Sequence, residues 1–165
     1  MSTHGIARTV GVMALVAAGF LGWKHFFPSD EARIVRRLEQ LADEVTRSAA
    51  DPSVGLARAA RMAAYFTTDV VIDPGGDVPA LHGREALMVV AGSLQPRTGS
   101  MRVALGDATV KLATEDSADV TLTVTVTRHA GTPEASFDAR EFAVRMVRQQ
   151  DAWLVARVTS IDTLR

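Results

Sequence analysis

The spacing of apolar residues changes once along this chain, near Met101, and this change constrains the fold more than any other feature. Before it, apolar residues recur at three- and four-residue steps, which is typical of amphipathic helices. After it they alternate with polar residues, most regularly over 120–127, where Val or Leu alternates with Thr. Helices followed by long antiparallel strands predict an α+β fold, with the helices packed on one face of a curved sheet.

Three helical patterns and one strand pattern fill the first half of the chain after residue 29. The predicted elements are a helix over 30–48, a helix from Asp51-Pro52 to about Tyr65, a strand over Phe66–Asp73, a short return over 78–82 and a helix over 84–94. The second helix is expected to bury Leu56, Ala60 and Ala63, and the third to bury Ala86, Leu87, Val89 and Val90.

Four strands are predicted after Met101. Their apolar positions are Met101, Val103, Leu105, Val110 and Leu112; Val120, Leu122, Val124 and Val126; Phe142, Val144 and Met146; and Trp153, Val155 and Ile161. The phase of alternation reverses between Leu105 and Val110, so Gly106 is expected at a bulge. Residues 114–117 are expected to form the first hairpin turn.

An uncharged run, Thr9–Trp23, precedes this domain, with Arg8 before it and Lys24 after it. Its length is at the lower limit for a spanning helix, and the aromatic residues that follow extend it. We predict a tail over 1–8, a single transmembrane signal-anchor over 9–27 and one domain over 28–165, on the exported (periplasmic or extracellular) side of the membrane. A cleaved signal peptide is the alternative, although the bulky residues after Trp23 are poor for cleavage.

Charge and composition exclude several classes of function. Removing Arg8 and Lys24 from the 18 basic residues leaves 16 against 19 acidic residues, so the domain has no basic excess for nucleic acid. The absence of cysteine excludes disulfides, thiolate catalysis and cysteine zinc sites. The histidines have no ligand-like spacing and no phosphate-binding glycine loop is present, so neither a metal nor a cofactor is predicted.

Three polar residues are candidates for a site, each with a plainer alternative. Asp73 before Pro74 could act as a general base in an apolar cavity, or its carboxylate could bond only the amides of a turn. Tyr65 and His82 could point into a pocket, or they could be a packed helix-end tyrosine and a surface histidine.

Four arginines fall on the last two predicted strands. They are Arg140, Arg145, Arg148 and Arg157. If some of them share one face, they could bind an anionic ligand or the acidic residues of a partner. The alternatives are that they form the solvated side of the strands or line an interface.

The chain resembles the nuclear-transport-factor-2-like superfamily, which includes the SnoaL-like and ketosteroid isomerase groups. The resemblance lies in the order of the elements and in three segments of this sequence. These are Tyr65–Asp73, Leu81–Leu87 with its glycine before a helix, and Val144–Val155 with a tryptophan after the turn. It implies a cone-shaped antiparallel sheet packed against three helices and wrapped around a cavity.

The resemblance also bears on function. Asp73 resembles the position of the isomerases' general base, but no tyrosine stands near Leu38 and no second acid near Val144, so isomerase activity is not expected. Phe142, Val144 and Met146 are candidate pocket residues, and homodimers of this superfamily commonly meet through the sheet. The leading prediction is a membrane-anchored, non-catalytic module that binds a small apolar ligand or a protein. The alternatives are a cavity enzyme of isomerase or hydrolase type that uses Asp73, and a subunit of an envelope complex.

Overall fold

The computed structural model describes residues 29–50, 55–93 and 101–161, which form three helices and six strands. The helices are α1 (Asp30–Ala50), α2 (Gly55–Ala63) and α3 (Arg84–Ser93). The strands are β1 (Phe66–Asp73), β2 (Leu81–His82), β3 (Met101–Thr114), β4 (Ser117–Arg128), β5 (Ser136–Gln149) and β6 (Ala152–Ile161). The α+β class and the order of the elements are therefore as predicted.

All six strands belong to one sheet, in the order β2-β1-β6-β5-β4-β3. The predicted antiparallel pairing is confirmed for β1 with β2 and for the four long strands β3 to β6, but β1 runs parallel to β6, which the prediction did not include. Alternation within a strand does not reveal its direction relative to a neighbour. The chain reaches β6 from β1 only through a long crossover, which is the connection that a parallel pair requires.

Helix α1 packs across β3 and buries one apolar stripe against it. Ile34, Leu38 and Ala42 are buried, and the first turn is capped by Ser29, whose Oγ accepts a hydrogen bond from the Ala32 amide at 3.4 Å. Toward its other end, the Thr46 Oγ1 accepts a hydrogen bond from the Val103 amide at 2.9 Å.

The buried faces of the other two helices differ from the predictions. In α2 the buried pair is Ala59 and Ala63, while Ala60 is exposed. In α3 only Leu87 and Ala91 are fully buried, and Val89 and Val90 are 71% and 44% exposed. Short helices rich in alanine and valine look apolar on several sides, so their sequence does not determine which side meets the core. The side chain of Leu56 and the residues Asp51-Pro52 lie outside what the structure describes.

The bulge in β3 is confirmed. The pairing of β3 with β4 shifts register between Gly106 and Thr109, and Asp107 between them has a positive φ of 51°. The extra residue reverses which face the following side chains occupy, as the change of phase in the sequence indicates. The first hairpin turn also lies where it was predicted, since β3 ends at Thr114 and β4 begins at Ser117.

The hydrophobic core lies between the helices and one face of the sheet, called here the inner face. Cross-strand partners on this face include Ala118 with Met146, Val120 with Val144, and Met146 with Val155. Because side chains alternate along a strand, the intervening residues form the outer face. The inner face supplies most of the buried side chains of β4, β5 and β6.

None of the helices in the described part of the chain is long and apolar enough to span a membrane. The predicted tail over 1–8 and signal-anchor over 9–27 lie outside the described residues.

Candidate functional site

The inner face of the sheet is fully buried at one end and only half-buried at the other. Near the turn at 114–117, Ala118 and Met146 are both 0% exposed. Farther along the strands the apolar side chains pack against this core but remain partly accessible. We call six of them the half-buried patch: Ile72, Leu81, Leu105, Val124, Phe142 and Val158.

Strand register makes the half-buried patch continuous. Leu105 lies opposite Val124 across β3 and β4. At the other side of the sheet, Val158 lies opposite Ile72, which in turn lies opposite Leu81. Directly opposed residues on one face have Cβ atoms about 4.5–5.5 Å apart, so these side chains are neighbours. Phe142 on β5 is a diagonal neighbour of both Val124 and Val158, at a distance that an aromatic side chain can span, and so connects the two groups.

Polar side chains border the patch on the same face. Arg140 lies opposite Val124, and Asp138 lies opposite Val126. The Arg140 Nε lies 3.3 Å from the Asp138 Oδ2, and both side chains are more than half exposed. Ser160, which lies opposite Phe142, is half-buried. The site therefore combines an apolar surface with a cation, an anion and a hydroxyl at its edge.

The three predicted pocket residues of β5 take different environments. Phe142 belongs to the half-buried patch, whereas Val144 and Met146 lie deeper and are 5% and 0% exposed in the core. All three share a face because they occupy alternate positions of one strand. Their exposure differs because Phe142 lies farther from the buried end of the sheet, and alternation does not encode this distance.

Asp73 makes the turn contact that the sequence offers as its plainer explanation. Its Oδ1 accepts a hydrogen bond from the Gly75 amide at 3.0 Å. Asp73 lies opposite Thr159, while Ile72 before it lies opposite Val158 of the patch. Adjacent residues of a strand face opposite sides of the sheet, so the register assigns Asp73 to the outer face. Its role as a general base stays a prediction, and this geometry does not favour it.

Tyr65 is not brought together with Asp73, because Tyr65 precedes β1 and Asp73 ends it. The guanidinium of Arg37 lies 4.1 Å above the centre of the Tyr65 ring and also donates a hydrogen bond to the Ala64 carbonyl at 3.0 Å. This stack ties α1 to the start of β1. His82 is exposed on β2, opposite Val71. His82 is therefore a diagonal neighbour of Asp73 on the outer face, but no hydrogen bond or ion pair among the described residues joins the two. The pocket roles of Tyr65, His82 and Asp73 remain predictions.

Asp138, Arg140 and Ser160 form the polar edge of the site, and of these only Arg140 was predicted from the sequence. A signal for Asp138 was present, because Asp138 and Arg140 continue the alternation of Phe142, Val144 and Met146. The charges concealed this continuity, because a charged residue at an inward position is usually interpreted as the end of the buried face of a strand.

A concave region lies between α1 and the bulged strand β3, apart from most of the half-buried patch. It is a shallow groove of about 430 Å³, lined by Glu31, Ala32, Val35, Arg36, Glu39, Ala108 and Val110. No predicted site residue lines it. In the described part of the chain, no group of three His, Cys, Asp or Glu side chains is placed to hold a metal ion.

Comparison with known proteins identifies the class to which this fold belongs. The SnoaL-like domain family matches residues 49–159. The chain therefore belongs to the SnoaL-like domain family. No curated protein matches it.

Solved structures with the same fold are distant in sequence. A candidate aromatic ring hydroxylase from Novosphingobium aromaticivorans has a TM-score of 0.66 at 15% identity, over 82% of this chain and 90% of that one. A candidate scytalone dehydratase from the same organism has a TM-score of 0.64 at 13% identity, over 80% and 83%. ActVI-ORFA from Streptomyces coelicolor has a TM-score of 0.61 at 18% identity, over 79% and 98%. These likenesses show the fold alone.

Proposed function

We propose that this domain binds a small, mainly apolar ligand on the half-buried patch. The observation that supports the proposal is the continuous apolar surface of the inner face that the described helices leave partly accessible. Covering apolar surface is favourable by about 25 cal/mol per Å². Ligand sites are typically concave and mainly apolar, with a few polar groups that fix orientation.

The polar edge defines the kind of ligand. The Arg140 guanidinium offers charge-assisted hydrogen bonds, and Ser160 offers a hydroxyl beside Phe142. We therefore propose a ligand with an apolar body and one oxygen-bearing group, such as a carboxylate, sulfonate or carbonyl, directed toward Arg140.

Binding is favoured over catalysis. Chemistry needs an acid or base within hydrogen-bond reach of the reacting group. The register assigns Asp73 to the opposite face, where its Oδ1 accepts a hydrogen bond from the Gly75 amide. The carboxylate at the edge of the patch, Asp138, is more than half exposed and lies 3.3 Å from the Arg140 Nε, so it is paired with a cation. The hydroxylase and dehydratase names of two structural neighbours keep an enzyme as the alternative, with Asp73 as its general base.

We propose further that the segment over 9–27 tethers the domain to a membrane, with the domain on the exported side. The support is the uncharged run Thr9–Trp23 and the aromatic residues at its end. A homodimer through the sheet and membership of an envelope complex are also proposals. The outer face is dominated by threonine and charged residues, which gives less support to an apolar assembly surface.

A fluorescence titration of the full-length chain with the neutral apolar probe N-phenyl-1-naphthylamine tests the proposal. Phe142→Ala should weaken binding about tenfold, because it removes the largest side chain of the patch. Phe137→Ala is the matched control, since Phe137 lies on the same strand but is 80% exposed on the outer face. Equal affinity of the two variants would contradict the proposal.

Two further arms separate ligand contact from loss of packing. Val124→Thr changes the polarity of the patch with little change in volume and should also weaken binding in a chain that circular dichroism shows to be folded. Arg140→Gln should weaken binding of the anionic probe 8-anilinonaphthalene-1-sulfonate and leave binding of the neutral probe unchanged.

A further inference from the structure

Charged side chains cross the outer face of the sheet in one row, on the side opposite the half-buried patch. The register places Lys111 opposite Asp119, Asp119 opposite Arg145, and Arg145 opposite Arg157. All four residues are exposed. The row therefore holds three positive formal charges and one negative charge on four adjacent strands.

Arg145 and Arg157 form a directly opposed pair of like charges. Such pairs destabilise a sheet, because the two Cβ atoms lie only about 4.5–5.5 Å apart. The Arg145 Nε lies 2.8 Å from the Asp119 Oδ1, so Arg145 reaches across to β4. The ion pairs of the described residues include neither Arg157 nor Lys111. One carboxylate thus serves a row that carries three cations.

The surroundings of Arg157 do not remove this excess. Val71 on β1 lies opposite Arg157, and His82 on β2 lies opposite Val71. Two acids of β1 lie near Arg157: Asp73, a diagonal neighbour opposite Thr159, and Asp69, which is exposed two residues before Val71. Neither forms an ion pair with Arg157. The Asp73 Oδ1 already accepts the Gly75 amide.

We propose that Arg145 and Arg157 together bind an oxyanion, namely a phosphate or carboxylate group. A guanidinium presents five N–H donors, more than the single carboxylate of Asp119 can occupy on Arg145. Beside the arginine pair, Ala143 lies opposite Thr159. Ala143 is exposed and its side chain is a single methyl group, which leaves room above the sheet, while Thr159 adds a hydroxyl. An anion between the guanidinium groups replaces their repulsion with two attractive contacts.

This site is independent of the ligand proposed for the inner face, because its residues lie on the other side of the sheet. The ligand is defined by its oxygen chemistry, whether the group is free or carried on a larger molecule. A phosphate can come from solution or from a lipid headgroup, and the two differ in charge: free phosphate is a mixture of monoanion and dianion near neutral pH, whereas most headgroups are singly charged diesters.

Thermal unfolding of the full-length chain in sodium phosphate, and in sodium chloride of the same ionic strength, tests the site. Phosphate should raise the Tm of the wild-type chain above its value in chloride, because a ligand that binds only the folded state stabilises it. Arg157→Gln should abolish this difference. Arg102→Gln is the matched control and should retain it, because Arg102 is an exposed outer-face arginine that lies opposite Thr127.

Side-chain NMR of the same full-length proteins gives a readout at the site itself. The Arg145 Nε resonance should shift saturably with phosphate, and Arg157→Gln should weaken the apparent affinity about tenfold. A shift with glycerophosphoglycerol as well would indicate a lipid headgroup, while a response to phosphate alone would indicate a soluble phosphate. Equal Tm values in phosphate and chloride would overturn the proposal, because salt screening would then account for the whole effect. An undiminished response in Arg157→Gln would also overturn it.

Discussion

At the scale of single residues, Asp73 shows how one hydrogen bond can favour one of two interpretations. A carboxylate before Pro-Gly-Gly suits both a general base and a turn. In the structure its Oδ1 accepts the Gly75 amide, and its register partner is Thr159 rather than a residue of the patch. Asp73 therefore has a structural reason to be present that needs no substrate.

Substitution of Asp73 separates the turn from catalysis. Asp73→Ala should lower the free energy of unfolding by about 1 kcal/mol, because the Gly75 amide loses its acceptor. Asp73→Asn keeps an oxygen acceptor and should change stability by less than about 0.5 kcal/mol. Urea denaturation measures both. If Asp73→Asn abolished binding of the neutral probe while stability was unchanged, the carboxylate would belong to the ligand site.

At the scale of elements, the position of α1 depends on polar contacts near both of its ends. In its first turn, the Asp30 Oδ2 lies 2.6 Å from the Arg148 guanidinium, which also lies 4.8 Å from the centre of the Trp153 ring. Toward its last turn, Thr46 bonds the backbone of Val103. Arg148 thus connects the helix to the hairpin of β5 and β6, so the helix is held against the buried end of the sheet.

Loss of this connection should loosen α1. Arg148→Ala should lower the free energy of unfolding by about 2 kcal/mol, because it removes a charge-assisted bond and the stack on Trp153. Amide hydrogen exchange should accelerate most in the first turns of α1.

Arg33→Ala is the control for Arg148→Ala. Arg33 also pairs with Asp30, at 3.7 Å, but along the helix surface. Its removal should cost less than about 0.5 kcal/mol. Similar losses from the two variants would show that Arg148 does not hold the helix.

At the scale of the whole molecule, the two faces of one sheet carry different chemistry. The inner face grades from a closed core to the half-buried patch, and the outer face carries the charged row and many threonines. The alternation of apolar residues with threonine in β4 contributes to both faces, because successive side chains of a strand point to opposite sides of the sheet. A membrane tether would in addition limit the ligands and partners that the domain meets.

The proposed tether can be tested with a charge placed inside the apolar run. The full-length chain should remain with membranes after alkaline carbonate extraction, and Leu15→Arg should release it, because an arginine at the centre of a spanning helix costs about 2.5–3.5 kcal/mol. Gly5→Arg adds the same charge before the run and should not release it. A wild-type chain in the soluble fraction would contradict the tether, and a shortened one would indicate a cleaved signal peptide.

Much of the local structure follows from sequence alone. The helix after Ser29, the strand Phe66–Asp73, the bulge at Gly106 and the first hairpin turn all lie where the patterns predict them. Each depends on residues close together in the chain: a cap, a run of β-branched residues, a change of phase. Local backbone preference and side-chain alternation determine such features.

Tertiary structure decided the rest, because it depends on partners that are distant in the chain. The parallel pairing of β1 with β6, the exposure of Val89 and the burial of Ala59 in place of Ala60 all follow from how whole elements pack. The candidate sites follow the same rule. Alternation placed Phe142 and Met146 on one face, but only the packing of whole elements left Phe142 half-buried and Met146 fully buried. Only strand register placed Arg145 opposite Arg157.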